Sequence, residues 1–166
     1  MTSVPGLLQT EDYAAAFFAK SGTRERNRNL NVRMHRTKRL REEDPLVLHA
    51  LIDETALTRR IAKSSVVVAQ LLHIIEISEL DNVTVQVIPD AAGAHEGLRR
   101  AFSILTFPPD TIDDLGYVDH AGGNLQLVKA PQVAELARRF ANLSKIALGE
   151  QESRELLLKL ADHVST

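Results

Sequence analysis

Val83-Thr84-Val85-Gln86-Val87-Ile88, closed by Pro89-Asp90, is the stretch that decides the fold class. It is β-branched and alternates apolar with polar residues, which reads as a half-buried strand. Asp81-Asn82 supplies the turn before it. Upstream, Ser64 or Ser65 is expected to cap a helix ending near Leu80. That helix is apolar on most of its surface, which predicts burial between layers. Asp53-Glu54-Thr55 opens a short helix through Ile61. Residues 46–52 read as a strand with apolar groups on both faces, hence a central one. Downstream, residues 91–100 form a loop rich in small residues. Residues 102–107, 115–120 and 125–128 read as strands, the last two joined by a hairpin at Ala121-Gly122-Gly123-Asn124.

Helices flank this centre. Thr10 caps a helix over residues 11–20, with Glu11 and Asp12 in its first turn, where the helix dipole favours acids. A second helix over residues 24–43 has a thin apolar stripe of Leu30, Met34 and Leu40, so most of it should face solvent or a partner. Asp44-Pro45 ends it. Pro131 suits a first helical turn, and Val133, Leu136, Ala137, Phe140, Leu143 and Ala147 then recur at helical spacing. Residues 150–163 form a last helix with Leu156, Leu157 and Leu160 inward. The predicted fold is α+β: one domain over residues 1–166, with a mainly antiparallel sheet of about five strands, packed helices, and helical N- and C-terminal segments.

Composition narrows the function classes. The 166 residues are 44% hydrophobic and 25% charged, ordinary for a globular domain. The net charge of −2 gives no global case for a polyanionic partner. There is no cysteine, so disulfides, thiol nucleophiles and zinc–thiolate sites are excluded. His73 and Glu76 interrupt the longest apolar stretch, so no membrane span is expected. No signal peptide is visible, which fits a cytoplasmic protein.

Several constellations could carry chemistry. Arg24, Arg26, Arg28, Arg33, Arg36, Lys38, Arg39 and Arg41 crowd one helix, with Glu25 the only acid among them. This is either a solvated or protein-pairing face or a phosphate contact, with Arg33, Arg36 and Arg39 as candidates. Gly93-Ala94-His95-Glu96-Gly97 is a glycine-flanked loop. It offers His95 as a ligand contact, against an ordinary turn with an exposed histidine. Tyr117-Val118-Asp119-His120 places Tyr117 and Asp119 on one strand face and His120 on the other. Glu54 either favours a helix start or lines a pocket at a strand end. His49 and His73 are expected to be satisfied core histidines. No histidine spacing suits a metal, and no phosphate-binding glycine loop is present.

The opening block, Val4-Pro5-Gly6-Leu7-Leu8-Gln9-Thr10-Glu11-Asp12-Tyr13, leads a series of ordered blocks. They continue with the arginine-rich helix holding Arg33 and Arg36, Leu51-Ile52-Asp53-Glu54-Thr55-Ala56-Leu57, Gln70-Leu71-Leu72-His73 and Val83 to Pro89. Gly93-Ala94-His95 before Phe102, Tyr117-Val118-Asp119 and Glu152-Ser153-Arg154 complete them. In these the chain resembles the uncharacterised domain that follows the helix-turn-helix in many XRE-type transcriptional regulators of actinobacteria, especially streptomycetes. Two features depart from the pattern: Thr37 stands where the family tends to have Gln, and Asp119 where it tends to have Glu. No helix-turn-helix stands before this domain, and the block reads as a chain beginning mid-architecture. Leu7-Leu8 is then the expected docking point of a lead-in segment.

The resemblance implies a regulatory domain that binds a small-molecule effector or a partner protein, with a homodimer also expected. It implies DNA contact only through the missing module. No membrane, no cofactor and no metal is expected for the chain. No catalytic residue carries over. The competing expectation is a small biosynthetic enzyme of cyclase or isomerase type. It would use Tyr13, Glu54, His95, Tyr117, Asp119 and His120, provided that they converge on one pocket.

Overall fold

The computed structural model describes residues 3–98, 100–120 and 123–165. Five strands and six α-helices make an α+β fold. The strands form two sheets. β1 (Leu48–Asp53) and β2 (Val83–Ile88) pair in parallel, while β3 (Phe102–Leu105), β4 (Leu115–His120) and β5 (Gly123–Leu127) form an antiparallel meander. The expected antiparallel character therefore belongs to the meander alone. Between β1 and β2 run α3 (Glu54–Thr58) and α4 (Ser64–Ile77), the helical crossover that a parallel pair needs.

β1 pairs only with β2 in the described ladders, so it is not a central strand. Its two apolar faces have another cause: both sides of the ribbon are covered. Ala50, Ile52, Val83, Val85 and Val87 face the main core, with Val67, Leu71, Ile74 and Ile77 of α4 and Leu157 of α6 (Glu150–Ser165). Leu51 and Ile88 face a smaller core with Leu143 of α5 (Ala130–Ile146), to which Phe102 and Phe140 add partly buried rings. The outer edge of β2 is closed by the α5–α6 connection. The Leu148 amide donates to the Val87 carbonyl at 2.9 Å, and the Val87 amide donates to Ser153 Oγ at 2.9 Å.

α4 is an outer layer, not a sandwiched one. Its exposed stripe is Ser65, Ala69, Leu72 and Glu76, and Leu72 is 47% exposed. Neither expected serine caps it. Lys63 is the N-cap, and its carbonyl accepts from the Val66 and Val67 amides. The inward stripe includes Gln70, which is fully buried and bonded at both ends. Its Nε2 donates to the Leu8 carbonyl at 2.6 Å, and its Oε1 accepts from the Thr10 amide at 2.8 Å. This amide fastens the opening block to α4.

That block covers itself. Leu8 has no exposed surface and Leu7 packs against the same core, so the chain's own fold fills the docking role expected of a lead-in segment. Thr10 caps α1 (Glu11–Phe17) as expected, accepting from the Tyr13 amide at 3.3 Å. α2 (Thr23–Thr37) leans on the block through Arg33, whose Nη1 donates to Gln9 Oε1 at 2.7 Å. The guanidinium lies 4.7 Å from the Phe18 ring centre and 5.5 Å from that of Phe17, cation–π distances. A Cβ on Gly6 would stand 3.3 Å from Arg33 Cζ, so this glycine admits the arginine. α2 has no fully buried residue, in line with its thin apolar stripe.

Candidate functional site

Asp53 ends β1 and starts α3, so one carboxylate serves two elements. Its Oδ1 accepts from the Thr55 amide at 3.0 Å and also from the Thr55 hydroxyl. These bonds make Asp53 the N-cap of α3. Its Oδ2 meets His95 Nε2 at 3.1 Å. Both side chains are buried, at 4% and 6% exposure. The glycine-flanked loop therefore carries an interior histidine, and the expectation of an exposed one is corrected. The cause is the carboxylate 42 positions upstream, which offers the ring a partner inside the fold.

The tautomer follows from the partners. A carboxylate only accepts, so His95 Nε2 carries the proton and donates it. The other ring nitrogen is Nδ1. It is buried and has no hydrogen-bond partner among the described residues. Gly97 seals it: a Cβ there would stand 3.0 Å from Nδ1 and 3.4 Å from Leu143 Cδ1. The pair thus locks the loop after β2 onto the end of β1, with one unsatisfied polar atom inside. Nearby, Glu54 Oε2 accepts from the Asp90 amide at 2.8 Å, tying the same loop down from α3. Arg139 of α5 reaches Glu96 at 3.6 Å on the surface.

The other candidate residues do not join this cluster. Tyr13 is 2% exposed within the main core, where burial raises the pKa of its phenol. Tyr117 is half-buried on β4 opposite Ser103 and Gln126, and Asp119 is exposed on the same face. His120 ends β4 and its backbone pairs with Gly123, while its side chain lies outside the described residues. The expected hairpin at residues 121–124 includes Ala121 and Gly122, which also lie outside the described residues. Of the five whose side chains are described, only Glu54 and His95 share a neighbourhood. An open, polar depression of about 480 Å³ lies at the other end of the ribbon, beside Glu79, Asp81, Glu150 and Arg154. It holds none of the six.

The remaining histidines and arginines also find their places. His49 is exposed, bonded through Nε2 to Gln86 Oε1 at 2.8 Å, with its ring edge-to-face on Phe140 at 4.9 Å. His73 is half-buried beside Glu76, and desolvation lowers its pKa. Neither is a core histidine, because each points along a solvent-facing flank of its element. Arg33 is committed to Gln9 and the two phenylalanines, and desolvation lowers its pKa too. Arg39 pairs with Glu42. Arg36 is exposed.

Among the described residues, no cluster of three or more acids and histidines suits a metal ion. No helix among them is long and apolar enough to cross a membrane. The residue whose role at the site sequence reasoning missed is Asp53, considered only as the end of a strand and the start of a helix. An Asp followed two positions later by Thr signals a cap, but its partner across the fold has no local signature.

These features define an α+β domain with a carboxylate–imidazole clasp at the end of a parallel strand pair. The family described as domain of unknown function (DUF5753) matches residues 1–159, and the chain belongs to that family. No curated protein and no solved structure shows a significant match to it.

Proposed function

We propose that this chain is the regulatory domain of a transcriptional regulator of the XRE type, as in actinobacteria. It binds an effector and passes the signal to a DNA-binding module. The ordered sequence blocks support the first part. The observation that carries the second is the thin covering of the β3–β5 sheet. Its inner row runs from Phe102, packed on the smaller core, through Val118 to Leu125, which is 52% exposed. Leu98, Ile112 and Val128 on the adjoining loops are at least half exposed as well. Exposed apolar groups gathered on one sheet and its loops favour a protein partner as the effector. The enzyme reading loses ground because Tyr13, Tyr117 and Asp119 lie apart from Glu54 and His95.

The test compares the wild-type chain with Leu125→Glu/Val128→Glu. Light scattering reads self-association, and affinity capture from the native cell extract reads partners. A stable complex or dimer lost in the variant supports the proposal. A wild-type monomer that captures nothing, or the same proteins as the variant, overturns it.

A small-molecule effector is the second reading, favoured by the unpartnered His95 Nδ1. A ligand with a hydrogen-bonding group would satisfy that nitrogen once the loop opened. Imidazole nitrogen shifts that stay unchanged on adding small-molecule cell extract would exclude it.

A further inference from the structure

The outward face of α2 is not used by the function proposed above. Residues 24, 28, 31 and 35 recur at i, i+4, i+7 and i+11, so Arg24, Arg28, Asn31 and His35 form one ridge. All four are exposed, as are the flanking Asn27 and Arg36. At about 1.5 Å per residue, Arg24 and Arg28 are spaced about 6 Å along the axis and the ridge spans about 16 Å. The fold sorts the basic residues of this region into two groups. Arg33, Arg39 and Arg41 are engaged with Gln9, Glu42 and Glu76 respectively. Arg24, Arg26, Arg28, Arg36 and Lys38 form no ion pair among the described residues, and of these Arg24 and Arg28 lie on the ridge with Arg36 on its flank.

We infer that the exposed ridge of α2 is a docking surface for the phosphate backbone of a nucleic acid. Its chemistry is arginine, asparagine and histidine, all donors to phosphate oxygens. The ridge contains no acid, and Glu25 lies on the flank of the helix. A protein interface needs an apolar or aromatic anchor at its centre. This ridge has none, with Val32 on its margin as the one exposed aliphatic group. Charge complementarity without an anchor fits a polyanion bound by counterion release. The inward Arg33 contacts hold the helix rigid against the opening block, which keeps the spacing fixed. The net charge of −2 belongs to the whole chain and does not set the local potential of the ridge.

The test is fluorescence anisotropy of a labelled 20-base-pair duplex of mixed sequence, titrated with the full chain at rising salt. Binding is expected at low salt, with affinity falling linearly against the logarithm of salt concentration. Arg24→Glu/Arg28→Glu/Arg36→Glu is expected to weaken it at least tenfold. The matching triple lysine variant should retain binding within about threefold, because the charge remains. Arg41→Glu, which breaks the Glu76 pair instead, serves as the control for a change of charge elsewhere and should bind like the wild type. Three results would each overturn the inference: no binding at low salt, no loss in the triple glutamate variant with its circular dichroism intact, or equal affinity for polyglutamate. The last would assign the ridge to an acidic protein. The Leu125 and Val128 variants should bind the duplex normally, so this inference and the function proposed above can fail separately.

Discussion

Asp53 concentrates more structural duty than any other polar residue here. It caps α3, and among the described residues it is the only side-chain partner of a buried imidazole. Removing it costs a helix cap and strands His95 with neither nitrogen bonded. Caps contribute about 1 kcal/mol, and an unsatisfied buried group costs about 1–3 kcal/mol. Asp53→Ala is therefore expected to destabilise the fold by about 2–4 kcal/mol in urea denaturation. In a His95→Ala background the same substitution should cost about 1–2 kcal/mol less, because no ring is left stranded. Additive effects in that double-mutant cycle would mean that the two side chains are neighbours without coupling. The two-residue cap was readable from Asp-x-Thr. The clasp was not, because local sequence carries no record of which loop folds back onto a strand end.

At the scale of elements, single side chains close edges that the sheets leave open. Ser153 is fully buried and accepts from the Val87 amide on the outer edge of β2. Ser153→Ala leaves that amide without a partner in a dry setting, at a cost of about 1–3 kcal/mol. The expected shift is in the urea midpoint, with an unchanged denaturant slope. On the solvent side of α5, Glu135 lies between Arg138 and Arg139. Hydrogen bonds from Arg138 first, then Arg139, hold its carboxyl at about 2. Its folded value is depressed, so whatever stability it adds is present above the ordinary glutamate range and is lost as pH falls toward 2. Solvent screening keeps that contribution small. A carboxyl-carbon NMR titration should show its midpoint near 2, rising toward the ordinary range in Arg138→Ala. The elements themselves were largely legible: β2 and β4 stand where alternation puts them, and Pro131 starts α5. The parallel pairing was also latent, since strand, helices, strand is the order of a crossover. It was obscured because β1 has two apolar faces. That pattern reports that both faces are covered, which two cores do here without any flanking strand.

The whole molecule is lopsided. The main core joins the opening block, α1, α4, α6 and one face of the β1–β2 ribbon, whereas the smaller core has Leu51, Ile88 and Leu143 as its fully buried members. On the meander, Gly116 is the only residue of β3 and β4 that is buried among the described side chains. It admits α5: a Cβ there would stand 2.6 Å from Leu136 Cδ1 and 3.3 Å from Leu127 Cβ. Regions with little buried apolar surface open more readily than the rest of a fold. Backbone amides of β3–β5 are therefore expected to exchange faster than those of β1, β2 and α4. Gly116→Val drives a branched side chain into the α5 contact, where overpacking costs about 1–3 kcal/mol. Exchange in β3–β5 should accelerate at least about tenfold, the equivalent of about 1.4 kcal/mol. Amides of the ribbon and α4 should hold their protection. If every amide accelerates together, the two cores unfold as one cooperative unit. Separate loss would instead make the meander a semi-independent lobe. A partner seated on its exposed apolar row could then order it without disturbing the main core. That is the mechanical property a coupling domain requires, since a signal can be registered only where a bound partner changes the balance between two states.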